Sequence, residues 1–125
     1  MTARKLSLTA LAFAILLLPI IISLGCRSYH VEINVENRTG ASIQILEVDY
    51  PSASFGADTL AAGANFHYRI QVQGSGALKV QYTDSAGHQE QITGPTLSEG
   101  EQGNLQIVLL PNGKADFHPQ LSPGR

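Results

Sequence analysis

Tryptophan is absent from the 125 residues, and cysteine occurs once, as Cys26. A lone thiol closes no disulfide, so a domain of this sequence outside the cytoplasm must be held by packing and backbone hydrogen bonding. The missing cysteine pair and tryptophan also remove the signature of antibody domains, so a sandwich built here would share their architecture and carry none of their function. Basic residues are few. Of the 8 Lys and Arg, Arg4 and Lys5 precede residue 26, leaving 6 against 10 Asp and Glu, a formal charge of −4. No basic cluster stands out, and without grouped Lys and Arg to displace counterions no nucleic-acid partner is expected. Gly-x-Ser-x-Gly does not occur, and Gly74-Ser75-Gly76 lacks the further glycine and following helix of a phosphate cradle. With no local nucleophile signature, neither enzymatic activity nor a cofactor is expected.

The chain does have an apolar run from Leu6 to Leu24, preceded by Arg4 and Lys5 and followed by Cys26. A basic start, an apolar core (Leu8 to Leu18) and small residues before a cut site (Ser23, Gly25) stand in the order of a secretory signal. Ile22-Ser23-Leu24-Gly25-Cys26 resembles the lipobox of bacterial lipoprotein precursors, with the apolar residue of that pattern at Leu24, one place later than usual. The resemblance implies that Cys26 takes a diacylglyceryl group, that residues 1–25 are removed, and that the new amino terminus is acylated. At about 0.8 kcal/mol per buried methylene, two acyl chains hold a protein stably on a bilayer. Because Arg27 is not aspartate, the resemblance favours the outer membrane. The alternative is an uncleaved transmembrane helix over Leu6 to Leu24 with Cys26 incidental. Spanning needs roughly 20 apolar residues, and Pro19 is tolerated in such helices. Both readings put the positive residues inside and the domain outside the cytoplasm.

Residues 26–28 are then a lipidated terminus and linker, and alternation begins at once. Tyr29, Val31, Ile33 and Val35 point one way and His30, Glu32, Asn34 and Glu36 the other, the period of a half-buried strand. Asn37-Arg38-Thr39 has the form of a glycosylation acceptor, but with Gly40 beside it reads as a turn. The next strand holds Ile43, Ile45, Val48 and Tyr50, and its apolar phase slips between Ile45 and Leu46, which predicts a bulge or a strand buried on both faces. Phe55, Ala57 and Thr59 form a short strand, Phe66 to Val72 the clearest one, and Leu78, Val80 and Tyr82 another. Asp84 to Gly87 is a hairpin loop returning through His88 to Thr93. Gly94 to Gly103 reads as a polar connection. Leu105, Ile107 and Leu109 follow, and Asn112-Gly113 is the strongest hairpin signal, leading to Ala115 and Phe117. About eight short strands with no helical period predict an all-β, antiparallel β-sandwich of immunoglobulin-like size over residues 29–118, with 119–125 a disordered tail. A small barrel is the alternative.

Three acid and histidine pairs stand two apart: His30 with Glu32, His88 with Glu90, and Asp116 with His118. Each pair shares a strand face and could offer a metal two ligands, but the alternation puts all of them on solvated faces, so no metal is assigned. The function expected is that of an envelope lipoprotein acting as a structural or interaction module, with the membrane and an envelope protein as partners. The alternative is a small-ligand or metal-binding sandwich on an uncleaved helix. An up-and-down strand count places Tyr50 to Ser54, Gly74 to Gly76 and Gly94 to Gly103 at the membrane end, with the longest connections there. Tyr29, Tyr50 and Phe55 would then meet the headgroup layer, if they are not ordinary core residues.

Overall fold

The computed structural model describes residues 29–124. The signal segment 1–25, Cys26 and the linker through Ser28 lie outside the described residues.

Eight strands follow in order: β1 (Val31–Asn37), β2 (Ile43–Tyr50), β3 (Ala53–Leu60), β4 (Asn65–Ile70), β5 (Gly76–Thr83), β6 (Gln89–Leu97), β7 (Gln102–Leu110) and β8 (Lys114–Ser122). They form two four-stranded sheets, ordered β4-β1-β7-β8 and β3-β2-β5-β6, packed face to face as a β-sandwich. Among the described residues no helix is long and apolar enough to cross a membrane. The alternation in the sequence accounts for the layers. Val31, Ile33 and Val35 of β1 face Val48, Leu78 and Val80 of the opposite sheet in one core, together with Leu105, Ile107 and Leu109. All neighbouring pairs are antiparallel except β1 with β7, which are parallel.

That exception follows from a crossing after β1. A hairpin would seat β2 beside β1, but β2 lies in the other sheet, because both strands bury an apolar stripe that must be covered face to face. Asn37 makes the crossing. Its side chain is fully buried and its Nδ2 donates to the carbonyls of Ala41 and Leu60, each at 2.9 Å, and of Ala61 at 3.2 Å. Its Oδ1 accepts from the Thr39 amide at 3.0 Å and lies 2.7 Å from the Thr39 hydroxyl. The Asn-x-Thr sequence is therefore a structural turn, closed by Gly40 at φ 92°.

The slip in β2 is a bulge. The pairing with β5 shifts by one residue between Gln44 and Glu47, and Ile45 occupies it at φ 53°, 67% exposed, while Leu46 turns into the core. The β7–β8 hairpin turns at Asn112 and Gly113, both at positive φ as the Asn-Gly pair predicts. Two expectations are corrected. Gly94 to Gly103 is not all connection, since β6 runs to the buried Leu97; a second register shift, between Ala77 and Lys79 of β5, interrupts the alternation that would have marked the strand. The tail is likewise not disordered over 119–122, because β8 continues to Ser122 and these residues pair with Gln102 to Leu105 of β7. Pro119 is accommodated there because β8 is an edge strand.

Strand directions alternate as the count predicts. Connections 51–52, 71–75 and 98–101 share the end where the chain enters, and 38–42, 61–64, 84–88 and 111–113 the opposite one. The entry end does not hold all the longest connections: 71–75 there is matched in length by 38–42 and 84–88 opposite, because β6 and the start of β7 together take up most of the segment expected to be loop.

Candidate functional site

The entry end is built from both ends of the described chain. The amide of Gly103 donates to the His30 carbonyl at 3.1 Å, which pins the residue before β1 to the start of β7. Gly124 lies against the ring of Tyr29 and the backbone of Gly100, where any side chain would collide with both. The neighbouring connections are tied together: the Gly100 amide donates to the Val72 carbonyl at 3.1 Å, and the Gln73 amide to the Ser52 hydroxyl at 3.3 Å.

Of the three aromatic residues assigned to a headgroup layer, Tyr29 and Tyr50 are half-buried and belong to this end. Phe55 is only 7% exposed. Its ring stacks on Tyr68 at 4.7 Å and 8°, with Phe66 and Tyr50 at 6.1 and 6.3 Å, and the four rings close the open side of the sandwich between β3 and β4. Phe55 is thus a core residue without a free face for lipid, because a lateral opening between two sheets must be covered by large apolar side chains.

The outer face of the β4-β1-β7-β8 sheet is a polar surface of planar side chains. Across its middle row run His67, Asn34, Gln106 and His118. Asn34 Nδ2 donates to Gln106 Oε1 at 2.9 Å and to Asn65 Oδ1 at 3.1 Å. In the next row Arg69 Nε donates to Glu32 Oε1 at 2.6 Å, and His67 Nε2 lies 2.7 Å from Glu32 Oε2. The hydrogen bond from Arg69 holds the Glu32 carboxyl below its ordinary value of 4.5, against some desolvation. Glu32, Asn34, His67 and Gln106 with His118 and Gln120 line an open cleft of about 360 Å³. Its one acid, Glu32, is already engaged by His67 and Arg69, so the face presents hydrogen-bonding groups more than negative charge.

The sequence pairs do not assemble. Glu32 is engaged by His67 and Arg69 instead of His30, while Asp116 and His118 stand on β8, two strands or roughly 10 Å from β1. His88 Nδ1 lies 3.5 Å from Asp84 Oδ2 in the β5–β6 loop, where Asp84 Oδ1 also accepts from the amides of His88 and Ala86 at 2.8 and 3.0 Å. Those backbone donors hold the Asp84 carboxyl below its ordinary value. Glu90 lies against Gly113 and near Tyr82, whose phenol is pushed up by burial and then by Glu90 and Asp84. Together with Thr39 and Asn112 these residues line a second open cleft, of about 360 Å³, at the end opposite chain entry. Among the described residues no three His, Cys, Asp or Glu converge. Sequence reading missed the Glu32–His67–Arg69 triplet, because its members lie on strands 37 residues apart; only the β1–β4 register brings them together.

No protein-family model and no curated protein matches the chain. The architecture does recur: an NMR structure of a protein from Eubacterium rectale superposes with a TM-score of 0.54 at 14% sequence identity, covering 77% of this chain and 95% of that one. At that identity the likeness is one of fold alone.

Proposed function

We propose that the chain is a bacterial envelope lipoprotein, anchored through Cys26, whose sandwich is an interaction module without catalytic activity. The observation that supports this best is the position of His30. Its carbonyl is bound by Gly103 at the entry end of the sandwich, so only Arg27, Ser28 and Tyr29 separate a lipid on Cys26 from the folded domain. At about 3.3 Å per residue that tether is roughly 10 Å long. The domain stands directly on the bilayer, in the outer membrane by the Arg27 criterion, with its sheets and the opposite end free for a partner. A second reading, small-ligand binding, is favoured by the cleft at that opposite end.

Metabolic labelling with a radioactive fatty acid tests the anchor. Wild-type protein should carry label, and Cys26→Ala should carry none and retain its signal segment. Equal labelling of the two proteins overturns the reading.

A further inference from the structure

Among the described residues the two sheets leave four edge strands, β4 and β8 in one and β3 and β6 in the other. An edge presents unpaired backbone N–H and C=O groups, and proteins ordinarily blunt it with proline, charge or a bulge. β8 carries Pro119, β6 carries Pro95 and a register shift, and β4 carries His67 and Arg69. From Ala53 to Ala57 β3 has none of these: no proline, no charge, and an unbroken register with β2. Its exposed residues Ala53, Ser54 and Gly56 are small enough to let another backbone approach. Beside this stretch Tyr68 stacks on Phe55 and remains 45% exposed. The outward surface there is acidic: Glu47 and Asp49 pair with Gly56 and Ser54, and Asp58 follows Ala57, with Lys79 opposite Asp49 as the base present.

We propose that the β3 edge over Ala53–Ala57 accepts an extended peptide strand from a protein partner, one alternating apolar residues laid on Tyr68 with basic residues turned toward Glu47, Asp49 and Asp58. In strand addition, main-chain hydrogen bonds supply affinity and alternate side chains supply specificity. The inference deepens the interaction-module reading by naming the partner's chemistry. It does not depend on the anchor, since labelling at Cys26 and binding at β3 are read on different residues and either can fail alone.

The test uses full-length protein in detergent micelles and fluorescein-labelled acetyl-Val-Lys-Val-Lys-Val-Lys-amide, followed by fluorescence anisotropy and hydrogen exchange. Saturable binding is expected, with slowed exchange confined to residues 53–57 and their neighbours on β3. The Val-Glu repeat and the fully N-methylated Val-Lys peptide should each bind at least tenfold more weakly. Ala57→Lys, which turns a charge inward at the edge, should reduce binding by a similar factor, and so should Tyr68→Ser, which removes the apolar ring and leaves the sequence of β3 unchanged; melting curves check that both variants fold. Absence of binding, equal binding of the N-methylated peptide, or protection elsewhere overturns the proposal. So does a protein dimer that already protects residues 53–57, which would make a second copy the occupant.

Discussion

Asn37 shows how much a single polar side chain can hold. Its amide serves three carbonyls, from two connections and the end of β3, and its main chain donates to Ala64 and accepts from Gly63 at 2.9 and 2.7 Å. The side chain thus joins the end of β1 to the start of β2 and to the β3–β4 turn. Removing it takes the donor from one buried carbonyl, that of Leu60, and two part-buried ones, where an unpaired buried group costs about 1–3 kcal/mol. Asn37→Ala is expected to lower stability by about 2–3 kcal/mol in urea denaturation. Asn37→Asp should lose at least as much at neutral pH, because a carboxylate donates nothing and repels the carbonyls it would face. A change under about 0.5 kcal/mol in both would show that the crossing is held by other contacts. The sequence marked Asn37 as a turn residue, but a side chain's burial is decided by what packs around it.

At the scale of the strand, the bulge in β2 is the feature that most depends on one residue. Ile45 is β-branched, sits at φ 53°, and exposes 67% of its surface, so it bears backbone strain without burying its side chain in return. Left-handed backbone costs an L-residue roughly 1–2 kcal/mol, and glycine is free of that penalty though more flexible when unfolded. Ile45→Gly is therefore expected to raise stability by about 1 kcal/mol, measured from the urea midpoint with an unchanged slope. A loss of stability would mean that the isoleucine packs usefully in spite of its exposure. The position of the slip was legible from the broken alternation, which left a bulge or a strand buried on both faces; the exposure of Ile45 decides for the bulge. Its counterpart in β6 was not: the polar, glycine- and proline-containing segment from Gly94 onward has the composition of a loop. Its pairing with β5 and the burial of Leu97 make it strand.

For the whole molecule, strand direction carries the functional geometry. Both ends of the described chain meet at the entry end, where Gly124 lies on Tyr29, and the connection containing Ser85 lies at the other. If Cys26 holds the lipid, a fluorophore on Ser52→Cys in vesicles should be better shielded from an aqueous quencher than one on Ser85→Cys. The reverse order would mean that the domain tips over on its tether. Both positions are exposed, so neither label displaces the core; Ser52→Cys gives up the long hydroxyl contact to the Gln73 amide.

Alternation alone determined that this chain is all-β, that it has about eight strands, and which residues form most of the core. Val31, Ile33, Val35, Leu78, Val80, Leu105, Ile107 and Leu109 are each buried on the face their period indicates. Periodicity reports which side of a strand is apolar, and that is a local property. Which strands lie side by side is not local. The parallel pairing of β1 with β7, the placement of β2 in the opposite sheet, the closure of one side by Phe55 and Tyr68, and the triplet of Glu32, His67 and Arg69 were all decided by tertiary structure. Each depends on how two sheets cover one another, and residues far apart in sequence become neighbours only when that covering is complete.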